Sequence, residues 1–176
     1  MTSISTPRLE LVPATPGLVR AAIAGRAPLA EALGAMVPPS WPPEFLDEPA
    51  LQFTLDRLTR HPAEAGWWMY FVLRREHGAP RALIGSGGYK GPPADGTVEV
   101  GYGIVSEQRR RGYATELTRG LLSRAFVLPG VRRAIAETLP ELVGSIGVLQ
   151  KCGFRLLGAG SEPGVIRFEL LREEFG

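Results

Sequence analysis

The sequence predicts a mixed α+β fold: a central, mostly antiparallel sheet of six to seven strands flanked by about four helices. Three strand-like segments in mid-chain follow one another through short turns, as an antiparallel meander does. A later strand is separated from the third of these by a long helical stretch, and such a crossover makes the two strands parallel. Helical apolar spacings lie on either side of the meander.

RLELVP (Arg8 to Pro13) alternates after a turn-forming Pro7 and reads as a first strand. Thr15-Pro16 supplies an N-cap and a first-turn proline, so a helix follows to Ala24, where Gly25 stops it. A short helix is expected over Leu29 to Leu33. VPPSWPPEF (Val37 to Phe45) carries four prolines and can only be a stiff loop, with Trp41 at its middle. Glu48 to Thr59 returns to helical spacing through Leu51, Leu55 and Leu58. Trp67 to Arg74, Arg81 to Lys90 and Thr97 to Val105 form the meander, broken at His77-Gly78 and Pro92 to Gly96. Gly112 to Leu128 is a helix by the spacing of Leu117, Leu121, Leu122 and Phe126, ended by Pro129-Gly130. Arg132 to Thr138 is the crossover strand, and Pro140 opens a helix running to Cys152, closed by Gly153. Phe154 to Leu157 and Val165 to Leu171 are the last strands. An exposed edge near Val165 to Leu171 would allow a homodimer.

At 176 residues the chain is expected to be one domain, residues 1–176. A domain of this size buries roughly 70% of its unfolded surface and needs no metal or disulfide to stabilise a core. No apolar run is long enough to span a bilayer, and Met1 to Thr6 does not read as a signal peptide, so no membrane partner and a cytoplasmic location are expected. The net charge of +2 is too mild to imply nucleic acid. Lys90 and Lys151 are the only lysines and asparagine is absent, which hints at a GC-rich bacterial genome. Cys152, alone among cysteines, and the distant His61 and His77 make no metal site. Cys152 reads as a packed small residue.

The chemistry gathers at EQRRRGYATE (Glu107 to Glu116), where a strand stops and a helix begins. A helix start leaves its first N–H groups unpaired and carries about half a positive charge. Gly112 lets a ligand approach the backbone, and the arginines add charge suited to a pyrophosphate. Strand, basic-glycine turn and helix make a phosphate cradle. The alternative is a solvated charge cluster capped by Glu107 and Glu116.

VEVGYGIVSEQRRRGYATELTRGLL (Val98 to Leu122) resembles the acetyl-CoA-binding signature of the GNAT superfamily of acetyltransferases, with [RQ]-x-x-G-x-[GA] met by Arg109, Gly112 and Ala114. LPELVGSIGVLQKCGF (Leu139 to Phe154) resembles the family's second block through Ser145, Leu149, Lys151, Gly153 and Phe154. TPRLELVPAT resembles the first strand of the subgroup that includes ribosomal-protein alanine N-acetyltransferases. The resemblance implies a sheet splayed between its fourth and fifth strands, with the pantetheine arm of acetyl-CoA in the wedge and no metal. It also implies main-chain bonds to that arm from Ile104 and Val105. Arg109, Arg110, Arg111, Gly112, Tyr113, Ala114 and Thr115 would hold the pyrophosphate, and Ser145 would contact the thioester region. Two positions depart from the pattern: Leu142 stands in the asparagine slot, and Leu149 where many members place an acidic tyrosine.

Acetyl transfer to an amine needs a base, a polarised carbonyl and close positioning. Glu137 and Glu99 are the candidate bases, with partial burial expected to lift a carboxyl towards neutrality. A cross-strand ion pair is the alternative for each. Ser145 or a water would serve as acid, or the thiolate would leave unprotonated, and a backbone N–H near Val105 would be the oxyanion donor. Trp41, Trp67, Trp68, Tyr89 and Tyr102 are candidate acceptor contacts, with Lys90 beside Tyr89. The expected activity is transfer from acetyl-CoA to a protein N-terminus or a small amine. A non-catalytic acyl-CoA sensor is the other reading.

Overall fold

Local signals set most element boundaries. In the computed structural model, which describes residues 2–176, the Thr15 hydroxyl accepts from the Leu18 N–H at 3.2 Å and opens α1 (Pro16–Ala24). Left-handed Gly34 closes α2 (Arg26–Leu33), and Asp47 caps α3 (Glu48–Arg60) by accepting from the Ala50 N–H at 2.9 Å. The strands are β1 (Ile4–Ser5), β2 (Leu9–Pro13), β3 (Met69–Arg74), β4 (Ala82–Tyr89), β5 (Thr97–Ile104), β6 (Arg133–Thr138), β7 (Arg155–Ala159) and β8 (Ile166–Leu171). The remaining helices are α4 (Tyr113–Phe126) and α5 (Val143–Lys151). The sheet order is β1-β2-β3-β4-β5-β6-β8-β7, and only β5–β6 is parallel. The eighth strand is the two-residue β1, too short to show an alternating pattern.

The parallel joint is brief. Thr97, Val98 and Glu99 pair with Arg133, Ala134 and Ile135. Beyond it β5 runs on to Ile104 paired only with β4, and β6 runs on to Thr138 paired only with β8. The sheet is therefore parted where the sequence resemblance placed the splay.

Each face of the sheet carries its own core. On one, Val98, Val100 and Ile104 pack with Leu117, Leu121 and Leu122 of α4 and Leu149 of α5. On the other, Phe71, Leu73 and Leu83 pack with Val19, Leu29, Leu51 and Leu58 of α1 to α3. Burying these side chains contributes about 1.5–3 kcal/mol each for the larger ones.

The expected edge at Val165 to Leu171 is corrected. β8 lies inside the sheet between β6 and β7, with Phe168 and Leu170 buried. The edge belongs to β7, where Leu156 is 60% exposed. The final hairpin folds its second strand inward against β6, so chain order does not give sheet order.

Candidate active site

The cradle is built by backbone conformation. β5 ends as the Val105 N–H donates to the Ile84 carbonyl at 2.9 Å, and a 3-10 turn follows over Ser106–Gln108. Arg110 (φ 60°) and Gly112 (φ 79°) are both left-handed. These turns aim successive N–H groups outward. The first bond inside α4 is from the Glu116 N–H to the Gly112 carbonyl at 3.0 Å, and the six N–H groups from Arg110 to Thr115 find no acceptor among the described residues. Unpaired amides beside a helix start form the kind of concavity that suits an anion.

The cradle is braced from behind by Arg8. Its Nη1 donates to the Arg111 carbonyl at 3.0 Å, its Nε to Glu116 at 2.8 Å, and its guanidinium lies 4.5 Å from the Tyr113 ring centre. The Tyr113 hydroxyl donates to Glu76 at 2.6 Å. Burial pushes the Glu116 carboxyl up, but bonds from Thr6 and Arg8 hold it below its ordinary value. Glu107 is bonded to Ser40 and Ser106. Neither carboxylate caps the arginine run. Arg8 was not singled out in the sequence; only tertiary folding brings it to residue 111.

The three arginines divide. The Arg109 side chain turns to the Ile104 carbonyl at 3.0 Å and to Glu44 at 3.2 Å. Arg110 lines the neighbouring cavity and has no partner among the described residues, and Arg111 is exposed and off the cavity wall.

An open cavity of about 1500 Å³ runs from the cradle through the wedge to the opposite face of the sheet. Bonds from Lys90 N–H to Glu99 O and from Val105 N–H to Ile84 O show that odd-numbered residues of β5 face β4. By alternation, the main-chain groups of Tyr102 and Ile104 face the wedge. Two expectations change here. The Val105 N–H is committed to Ile84, which moves any oxyanion donor off Val105 itself to a neighbouring N–H, and Val105 is buried in the second core. The Ile104 carbonyl is taken by Arg109, which leaves its N–H.

Across the wedge, α5 presents Gly144 and Gly147, where an added Cβ would meet nothing within 4 Å, together with Ser145 and Lys151. The Tyr102 hydroxyl donates to the Ser145 carbonyl at 3.0 Å and lies 3.3 Å from its hydroxyl. Burial pushes the Tyr102 phenol up to about 12, so it stays a neutral donor at any working pH. Leu149 is buried in the core and brings no hydroxyl.

The candidate bases are both ion-paired. Glu137 sits opposite Arg167 on β8 and accepts from its Nη2 at 2.6 Å, and from the Ser161 hydroxyl and N–H at 2.6 and 2.8 Å. Burial raises its pKa, but Ser161 and Arg167 outweigh that and hold it low, contrary to the lift expected. Glu137 still lines the cavity. Glu99 is paired with Lys90 without hydrogen-bond geometry, and lies off the cavity wall.

Of the acceptor candidates, Trp41 is corrected: it is 7% exposed, packs 6.0 Å from Phe71 and does not reach the cavity. A stiff loop needs an apolar anchor, and Trp41 is that anchor. Tyr89 touches the wall, but its hydroxyl donates to the Leu121 carbonyl at 2.6 Å and its ring packs on Trp67. Tyr102 faces the wedge. Trp68 lines the cavity, joined by three residues missed in the sequence, Phe45, Leu46 and Met69, over a floor that includes Ser86 and Gly101. The Ser86 hydroxyl has no partner among the described residues.

Cys152 is buried, 3.7 Å from the Thr115 carbonyl, and burial pushes its thiol up to about 11. Among the described residues no group of His, Cys, Asp and Glu could hold a metal ion, and no helix is long and apolar enough to cross a membrane.

A sheet parted at one parallel joint, with unpaired amides at the mouth of the central helix beside the gap, is the architecture of an acyltransferase. Residues 8–155 match the family model for the acetyltransferase (GNAT) domain, and the chain belongs to that family. It is 26% identical over 117 residues to "Uncharacterized N-acetyltransferase YjdG" of Bacillus subtilis, covering 66% of this chain and 67% of that one. Two solved structures share the fold. An acetyltransferase from Agrobacterium tumefaciens superposes with a TM-score of 0.63 at 20% identity, over 97% of this chain and 94% of that one. RimL, a ribosomal L7/L12 α-N-protein acetyltransferase solved with coenzyme A, has a TM-score of 0.65 at 16% identity, over 96% of this chain and 97% of that one.

Proposed function

We propose that the chain, acting as one domain, transfers the acetyl group of acetyl-CoA to a primary amine by direct attack on the thioester. The observation that carries this is the row of unpaired N–H groups from Arg110 to Thr115 beside the parted strands. Acetyl-CoA, when bound, supplies the activated acyl group. The RimL relative was solved with coenzyme A, which fits a diphosphate in this cradle.

The roles of the chain's own residues follow from their surroundings. The cradle amides and Arg110 bind the pyrophosphate. The main-chain groups facing the wedge at Tyr102 and Ile104 hold an extended arm as a sheet holds a strand. Gly144 and Gly147 leave room for that arm against α5. The Ser145 hydroxyl stands as a donor at the wedge, held beside the Tyr102 hydroxyl, whose own proton goes to the Ser145 carbonyl. Glu137, kept anionic by Arg167 and Ser161, attracts the ammonium form of the amine, and the proton leaves to solvent rather than to a carboxyl tuned near neutrality.

The test is titration of acetyl-CoA by calorimetry, followed by thiol release in the presence of amines. Binding with amine-dependent release is expected. Absence of acetyl-CoA binding refutes the proposal. The sensor reading is favoured by one observation, the apolar Leu142 and Leu149 where the family pattern has polar groups. Binding with no release for any amine would establish it.

A further inference from the structure

We infer that the acceptor is a primary amine with an apolar body and no carboxylate beside its nitrogen. This rests on the acetyl-transfer reading and concerns the half of the cavity away from the cradle.

The wall there is apolar: Phe45, Leu46, Trp68 and Met69. Phe45 is 76% exposed and holds a positive φ of 68°. An exposed aromatic ring on strained backbone is unfavourable on both counts, and strain of this kind clusters where ligands are held. Phe53 is edge-on to Trp68 at 5.6 Å and stiffens that wall. The floor at Gly101 is bare, since an added Cβ there would meet nothing within 4 Å.

The charges on this side exclude an anionic acceptor. A zwitterionic amino acid or a phosphorylated amine needs a free cation to receive its negative group. Arg167 is committed to Glu137, Lys90 to Glu99, and Arg109 to Glu44 and the Ile104 carbonyl. Glu141 and Glu162 line the same cavity with no ion pair among the described residues. The two lining cations without an ion pair stand at the coenzyme end: Arg110 belongs to the cradle, and Lys151 precedes Cys152, whose thiol lies 3.7 Å from the Thr115 carbonyl. Away from the cradle the unpaired charges are the two glutamates, which draw an ammonium in and repel a carboxylate that travels with it.

The experiment uses three amines with one body: phenylalanine, phenylalaninamide and 2-phenylethylamine, on the full chain already shown by calorimetry to bind acetyl-CoA. The amide and the ethylamine are expected to be acetylated with kcat/KM at least tenfold above phenylalanine, equivalent to about 1.4 kcal/mol. Phe45→Ala is expected to raise KM for phenylalaninamide severalfold while leaving acetyl-CoA affinity unchanged. Equal or better use of phenylalanine overturns the inference, as does failure of all three amines or an unchanged KM in Phe45→Ala. Those failures leave the acetyltransferase reading intact, because amine-dependent thiol release across a wider panel, amino acids and peptides included, tests it separately.

Discussion

Replacing Gly147 should make the protein more stable and less able to bind its coenzyme. Gly147 sits in mid-α5 with ordinary helical geometry, and an added Cβ would meet no atom within 4 Å. Gly147→Leu therefore removes the helix penalty of glycine without a clash, a gain of about 0.6–0.8 kcal/mol. For a chain of this length that is a rise of about 1–3 °C in the unfolding midpoint. The same side chain projects into the cavity between α5 and β5. If the pantetheine arm lies there, the extra bulk costs about 1–3 kcal/mol, as overpacking does, and raises the acetyl-CoA Kd roughly 5- to 150-fold. Thermal unfolding of the ligand-free protein and calorimetric titration with acetyl-CoA read the two effects separately. A stabilised variant that binds acetyl-CoA as tightly as the parent would show that the glycine face of α5 is not the coenzyme groove.

Three further outcomes follow from the site. Gly112 is left-handed, a conformation that Asp and Asn tolerate better than other side chains, so Gly112→Asp and Gly112→Asn should both fold. The Asp form should bind acetyl-CoA at least a hundredfold more weakly than the Asn form by titration, because a charge about 4 Å from an anion costs roughly 4 kcal/mol at an effective dielectric of 20. Glu137 has a lowered pKa, so its contribution to stability is present above the unfolded value of about 4.3 and is lost as pH falls through the folded one. Glu137→Gln should destabilise by about 1–3 kcal/mol at pH 7 in urea unfolding, with the gap to the parent closing in acid. The parent's log kcat/KM should climb towards the pKa of the amine, and a plateau near neutrality that Glu137→Gln removes would restore Glu137 as the base. Cys152, with its thiol pushed up to about 11, should resist a thiol reagent at pH 8 in the native protein and react at once in denaturant.

Much of the fold could be read from the chain because its punctuation is local. Thr15-Pro16 and Gly112 mark helix starts by their own chemistry, and the structure uses them so. The cradle was legible for the same reason, since a helix start and a glycine next to a strand are neighbours in sequence. What was not legible depends on distant pairing. Glu137 finds Arg167 thirty residues away, and Arg8 reaches Arg111 across more than a hundred. The acceptor wall failed differently: the loop was seen, but its tryptophan drew the assignment while Phe45, two prolines later, faces the cavity.

The bare stretch of β5 beyond Glu99 has a consequence for how the protein behaves in a tube. An unpaired strand rim is where chains ordinarily stick to one another. This one is recessed between two halves of its own sheet, where a thin flexible arm can enter and another folded molecule cannot. With a net charge of only +2, repulsion between copies is weak, so shape has to keep solutions clear. Warming that widens the three-rung joint should bring clotting before global unfolding, and a ligand seated in the gap should delay it.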